Sequence, residues 1–413
     1  MRKVVIPAPY WGQPGHLGWT RVSRFVRWLG EAGVGSVVAR AGSTDRVDDA
    51  EFGEIVTVRD PLGFYRDLPE GGAAIPLRRK SRLRRTIAYL LLVPDPLVPW
   101  SRRVARHPLV LDRARGAELV LASSPPESAH VAAAALATRL QARLVVDLRD
   151  GWLDEPMIPL LEGSRLQRAR HRRIERRILR RAERIFVTSD HWRSLLCGRL
   201  PFTSAKTTVL TNACPRAEEL HSKNVDRPPG RPLTLLYTGK ISSSRPERRV
   251  AQLMSPLLAG LKASAEANGR VVFVGNLDGD EQAELEAWRD SLAALGWTLE
   301  IRRPVPRDAA LRLVGSADGL LLLSSSMASL PAKLFDYLPS GRPILVVAPE
   351  GSAIAEVVEG LPQVVPVSES GSLATAAVRG FLSRCQERDP EWAVPESLSE
   401  EHVRAVFLRA LAE

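Results

Sequence analysis

Apolar and polar positions along this chain switch repeatedly between two periods. Continuous apolar runs of strand length stand at residues 4–9, 36–39, 119–122, 144–146 and 185–188, with shorter ones at 55–58 and 208–210. Between them the spacing turns helical. Val22, Phe25, Val26 and Leu29 share one face of residues 21–32, and Gly33 follows as a stop. Residues 127–140 are Ala-rich, and Ile174, Ile178, Ala182 and Ile185 make one apolar stripe through the arginine-rich stretch 165–184. The pattern then starts again, with strands expected at 233–237, 271–274, 298–301, 319–324, 344–347 and 363–367. Helices are expected over 308–315, 370–384 and 399–411. Apolar runs without alternation mark strands covered on both faces, so the class is α/β with parallel sheets, built twice.

The second half is organised around residues 330–343, L-P-A-K-L-F-D-Y-L-P-S-G-R-P, which lie between two such strands. Pro331 suits the first position of a helix and Gly341 its end. The amides of Ala332 and Lys333 then face the mouth of the sheet, where an anion is favoured. Lys333 adds a mobile positive charge, and Asp336, one turn on, is placed to accept hydrogen bonds from a diol. Donors for phosphates and a carboxylate for a ribose are the chemistry that holds a nucleotide diphosphate-sugar. The plainer reading makes Lys333 and Asp336 solvated residues on the outer edge of a buried helix.

The wording P-A-K-L-F-D-Y-L-x-S-G-R-P resembles the donor-site helix of family 4 glycosyltransferases of the GT-B fold, in which a Glu usually stands where Asp336 stands here. The S-P-P turn at 124–126 and the D-L-R-D-x-W loop at 147–152 are similar to members that attach sugars in surface-polysaccharide assembly. The resemblance implies two Rossmann-like domains facing a central cleft. It implies donor binding by Gly239, Lys240, Arg245, Pro331, Ala332, Lys333 and Asp336. Lys240 and Arg245 stand, with identities swapped, where the family has Arg and Lys, and Arg248 is a rival for the second role. On the acceptor side it implies Gly15, His16, Arg149 and Asp150, with His16 and Asp150 joining Lys240 and Arg245 as catalytic candidates. His16 also reads as an exposed loop residue, and Arg149 with Asp150 also reads as a pair capping the next segment. The family's acid eight residues before the donor-helix carboxylate is replaced by Ala328.

At 413 residues the chain suits two domains. The expected boundaries are 1–212, a linker at 213–232 containing Pro215, Pro228, Pro229 and Pro232, a second domain at 233–398, and a terminal helix at 399–413, which the resemblance implies crosses back to the first. Cys197, Cys214 and Cys385 are too scattered for a disulfide or zinc framework, which favours a reducing compartment. The start lacks the apolar core of a signal peptide, and the longest aliphatic run, residues 87–93, is far short of the ~20 residues that span a bilayer. D-G-D at 278–280 reads as a helix cap rather than a metal site, so neither metal nor cofactor is expected.

Charge adds a further division. Residues 1–212 hold 36 Lys and Arg against 21 Asp and Glu, whereas 213–413 hold 22 against 26. The basic residues of 77–103, flanking the aliphatic run 87–93 and ending near Trp100, have the composition of a membrane contact, or of a buried helix with a basic face. The expected partners are a nucleotide-sugar donor, a lipid-linked glycan acceptor and an anionic membrane surface, with the protein peripheral on the inner face of the cytoplasmic membrane. Nucleic acid is disfavoured because aromatics are not interleaved with the basic runs. The activity expected is a metal-independent, retaining glycosyl transfer to a lipid-linked or polysaccharide acceptor. A sugar-nucleotide epimerase on the same fold, and an arginine-rich nucleic-acid-binding protein, are the alternatives.

Overall fold

The computed structural model describes residues 1–13, 17–63, 92–154, 165–216, 231–241, 250–264, 268–277, 279–367, 372–387 and 392–413. The chain divides into two units, Met1–Thr211 with Arg404–Glu413, and Asn212–Val403. Among the described residues no helix is long and apolar enough to cross a membrane. The three cysteines are free thiols.

In the first unit the strands are β1 (Lys3–Pro7), β2 (Gly35–Gly42), β3 (Arg46–Ala50), β4 (Gly53–Arg59), β5 (Leu119–Ser124), β6 (Arg143–Leu148), β7 (Arg184–Val187) and β8 (Thr207–Val209). They lie in the order β3-β4-β2-β1-β5-β6-β7-β8, parallel throughout except where β3 pairs antiparallel with β4. The sequence pattern missed β3 because R-V-D-D-A is a polar edge strand with no buried face to write an apolar run. The chain winds outward through β2 from one side of β1 and through β5 from the other, so the winding reverses between β1 and β5.

One buried ion pair locks that reversal. Arg21, on the helix Leu17–Glu31, donates from Nε and Nη2 to the two carboxylate oxygens of Asp147 on β6, at 2.9 and 2.7 Å. The Ser123 hydroxyl donates to the same carboxylate at 2.6 Å. The remaining donors of Arg21 reach the carbonyls of Thr211 and Leu210 beyond β8. Around the same helix Phe25 stacks on Phe407 at 4.5 Å, and Phe407 also meets Trp28 and Phe186.

Two expectations change here. Trp100, read as the aromatic end of a membrane-contact segment, is fully buried and donates through its indole N–H to the carbonyl of Val58. Residues 77–91 of that segment lie outside the described residues. The helix Arg165–Arg181 buries Gln167, His171 and Glu175 beside Ile178 and Leu179, so its inner face is largely polar rather than one aliphatic stripe. Glu175 and His171 find partners from other elements. Arg199 bonds both Glu175 and Asp154 through two pairs of hydrogen bonds, and the Trp152 indole donates to His171.

The second unit has β9 (Leu233–Thr238), β10 (Gly269–Val274), β11 (Trp297–Arg302), β12 (Gly319–Leu323), β13 (Ile344–Val347) and β14 (Val364–Val367), all parallel in the order β11-β10-β9-β12-β13-β14. Its winding reverses between β9 and β12. Alternate residues serve opposite cores. Leu235, Phe273, Leu321 and Leu345 pack on one side with the helices Val250–Ala263 and Ser372–Glu387. Leu236, Val272, Leu322 and Val346 pack on the other with Phe335 and Ile354. Both faces are buried, which is why these strands read as unbroken apolar runs.

Removing one member of the Arg21–Asp147 pair strands the other charge in the core. Arg21→Ala is expected to cost about 3–5 kcal/mol in urea denaturation, and the double change Arg21→Met with Asp147→Leu clearly less. Equal losses in the single and double variants would show that the pair's charges are not what holds β6 to the helix.

Candidate functional site

In an open parallel sheet ligands settle at the carboxyl ends of strands where the winding reverses. In the second unit that place is bounded by the loop after β9 and the segment after β12. The first loop carries Gly239 and Lys240. Gly239 sits at φ +86, and a Cβ built on neighbouring Gly275 would fall 2.1 Å from the Gly239 carbonyl oxygen. The two turns touch backbone to backbone, which only glycine at both positions permits. Lys240 is exposed at the tip.

After β12 the chain runs through a serine loop into the helix Ala332–Tyr337, continued by a single 3-10 turn to Ser340 and ended at Gly341. Pro331 stands one residue earlier than expected, as the extended residue before the first turn, and its carbonyl accepts from the Leu334 amide. Lys333 swings back over the first loop. Its Nζ lies 3.7 Å from the centroid of the Tyr237 ring and donates to the Lys240 carbonyl at 3.4 Å. Tyr237 is itself pinned by a hydrogen bond from its hydroxyl to the same carbonyl. Asp336 meets Arg307, the first residue of the helix Arg307–Ser316, at 2.6 Å. The fully buried Tyr337 hydroxyl accepts from the Thr238 amide at 2.8 Å and lies 3.0 Å from the Thr238 hydroxyl. Burial raises this phenol far above its ordinary range, so it stays neutral and rivets the helix to the end of β9.

Thus Gly239, Lys240, Pro331, Ala332, Lys333 and Asp336 gather at one sheet mouth. Arg245, Arg248 and Asp278 lie outside the described residues. Asp280 stands in the first turn of the helix Gly279–Glu286, where a carboxylate suits the amide end. Ala328 is buried beneath the serine loop, its amide turned to the Ser326 hydroxyl. Tyr237, Tyr337 and Arg307 were not legible in the sequence. They lie in different elements and acquire roles only through the fold.

In the first unit the corresponding loops follow β1, β5 and β6. Gly15 and His16 lie outside the described residues. The D-L-R-D-G-W loop is anchored at both ends, Asp147 on Arg21 and the buried Trp152 against the ring of His130 at 5.9 Å. Between these anchors Arg149 and Asp150 are half-exposed. Arg149 does not stand loose to meet a phosphate. Its Nε and Nη2 donate to the carbonyls of Ser124 and Pro125 at 2.8 and 2.6 Å, and its guanidinium lies over the Tyr10 ring. It therefore holds the S-P-P turn in place. Tyr10 donates to the Ser123 carbonyl, and burial pushes its phenol up to about 12.

Glu127, at the foot of that turn, was not singled out from the sequence. Burial, then the Asp95 and Asp150 charges, push its carboxyl up to about 8, so it carries a proton at neutral pH. His130 is the opposite case. It is fully buried, with no hydrogen-bond partner at either ring nitrogen among the described residues, and burial pulls it down to about 3.

Residues 18–213 match the family model described as a glycosyl transferase 4-like domain. That match falls within the first unit and its edge. Solved structures match along the whole chain. HepE of Anabaena, in complex with UDP and glucose, is 12% identical with a TM-score of 0.54 and full coverage of both chains. The α,α-trehalose-phosphate synthase (UDP-forming) of Burkholderia vietnamiensis is 11% identical with a TM-score of 0.59, again with both chains fully covered. A glycosyltransferase of Rickettsia africae is 9% identical with a TM-score of 0.54, covering 100% of this chain and 93% of that one. At these identities what is shared is the fold, the GT-B glycosyltransferase fold. No curated protein matches the chain.

The raised Glu127 carboxyl makes a signed expectation. Its folded pKa lies above the ordinary value of 4.5, so its contribution to stability is present below that value and is lost as pH rises through about 8. Wild type should therefore lose melting temperature relative to Glu127→Gln as pH is taken from 5 to 9. His130 acts on the acid limb, stabilising above the ordinary 6.5 and ceasing to do so as pH falls toward about 3. Parallel wild-type and Glu127→Gln curves would place the Glu127 proton elsewhere.

Proposed function

We propose that this protein is a retaining glycosyltransferase that moves a sugar from a nucleotide diphosphate-sugar to a lipid-linked or polysaccharide acceptor in surface-glycan synthesis. One observation carries the donor side. Lys333 and the Gly239–Lys240 turn converge at the point where the second sheet reverses its winding, with Asp336 one turn beyond Lys333. The solved complexes of HepE with UDP and with UDP-glucose make a uridine nucleotide the first donor to try.

In this reading the bond between the anomeric carbon and the diphosphate oxygen breaks as the acceptor hydroxyl attacks from the same face. The electron pair leaves with the diphosphate, and the acceptor proton follows it. Lys240 and Lys333, with Arg245, offset the negative charge that builds on the departing group, the interaction expected to dominate such a step. Lys333 exchanges the Tyr237 ring and the Lys240 carbonyl for a phosphate oxygen. Asp336, aimed by Arg307, takes the ribose diol. Asp150 and His16 are the acceptor-side candidates of the first unit. Because these cations do the work a divalent ion does elsewhere, the reaction is metal-independent. Its place is the cytoplasmic face of the membrane, where a lipid-linked acceptor is met.

Lys333→Ala and Asp336→Ala are each expected to weaken UDP binding by roughly 10- to 100-fold in calorimetry, the ~1.5–3 kcal/mol of a charge-assisted hydrogen bond, with the melting temperature unchanged. Unaltered affinity in both variants would overturn the assignment of this sheet mouth as the donor site. Transfer from a UDP-sugar is expected to persist in EDTA. Loss of turnover on chelation, restored by a divalent ion, would instead place a metal on the leaving diphosphate.

A further inference from the structure

The helix Arg165–Arg181 carries nine arginines, every one exposed, and they fan over roughly two-thirds of its circumference. Ion pairing is dense elsewhere in the first unit, where Arg21, Arg40, Arg103, Arg113, Arg143 and Arg199 all hold carboxylates. On this helix, among the described residues, none of the nine does. Its own acid, Glu175, is buried and spent on Arg199. Among the described residues, therefore, no carboxylate neutralises this cationic face.

Two apolar groups break its surface. Leu166 at the start of the helix is 63% exposed, and Phe202, in the turn Pro201–Lys206, is 37% exposed. The Phe202 ring is already engaged by two cations, the Arg180 guanidinium at 5.5 Å and the Lys206 ammonium at 5.7 Å from its centroid. Lys206 also donates to the Arg180 and Ala182 carbonyls, fastening this turn to the carboxyl end of the helix.

We infer that the face formed by this helix and the Phe202 turn is a docking surface for an anionic lipid bilayer. The chemistry fits that occupant. Cations spread along a straight helix match a plane of acidic headgroups, and exposed Leu and Phe tips beside them find apolar surroundings at the headgroup boundary. A nucleic-acid strand fits less well, because the one exposed ring is taken by cations and offers no free platform for a base. This surface lies in the first unit and is separate from the donor residues, so it stands whether or not the donor assignment does.

The experiment is cosedimentation of the full-length protein with phosphatidylglycerol vesicles and with phosphatidylcholine vesicles across a salt series. Each cation near an acidic surface is worth about fivefold in partition. The triple variant Arg172→Glu, Arg173→Glu, Arg176→Glu is therefore expected to lose binding to phosphatidylglycerol by a hundredfold or more, with unchanged circular dichroism and unchanged UDP binding. Wild-type binding is expected to fall as salt rises, because screening acts over ~8 Å at physiological ionic strength. The residual that salt leaves is expected to drop in Leu166→Ser with Phe202→Ser. Three results would overturn the proposal: no binding to phosphatidylglycerol at low salt, equal binding to both lipids, or wild-type-like binding by the folded triple variant. Tighter binding to a 30-base-pair DNA duplex than to the vesicles, lost in the same variant, would hand this face to nucleic acid.

Discussion

Parallel strands cannot be joined by tight hairpins, and this constraint arranges everything else in the molecule. Each connection crosses over a face of the sheet, and winding proceeds outward from a first strand in two directions. Where the directions part, between β1 and β5 and between β9 and β12, the loops leaving the strands face one another with no crossover between them. Tyr10, Ser123 and Arg149 meet at the first of these places, and Gly239, Lys240 and Lys333 at the second. The chemistry-bearing residues come from stretches that carry little regular structure of their own. Their positions are consequences of strand order.

The two sheet mouths are held in different ways. In the first unit a charge pair is buried outright, which is tolerable only because its hydrogen-bonding capacity is met. Asp147 receives the guanidinium and a serine hydroxyl, and Arg21 spends its other donors on carbonyls beyond β8. In the second unit the equivalent fastening is neutral, the Tyr337 hydroxyl on the end of β9. The charges above it, Lys333 and Asp336, are only half-buried, and their contacts are a ring face, a carbonyl and an arginine. In the donor reading proposed above, these contacts are the ones exchanged for a phosphate or a diol, while the neutral fastening stays in place.

The surplus positive charge of the first half is distributed by function of a different kind. Many of its arginines are consumed in pairs that tie loops and strands together. Among the described residues those of the helix Arg165–Arg181 are not, and a helix whose inner face buries Glu175, His171 and Gln167 needs specific polar partners to dock at all. The attachment of this helix draws on Arg199 and Trp152 arriving from other elements.

By itself the sequence determined what depends on local periodicity. Unbroken apolar runs announced two-sided burial and hence parallel sheets, and P-A-K-L-F-D-Y announced a short helix at a strand's mouth with a lysine and a carboxylate one turn apart. The tertiary structure alone decided what depends on partners distant in the chain. Arg21 and Asp147 are separated by 126 positions, Thr238 and Tyr337 by 99, and Arg307 and Asp336 by 29. No pattern in the residues around either member points to the other. Likewise Trp100, which composition placed beside a basic run, and Arg149, which the resemblance placed on the acceptor side, have their contacts in core and turn set by what the fold packed against them. Periodicity is written in neighbours, but pairing across a sheet is settled by strand order, which neighbours do not encode.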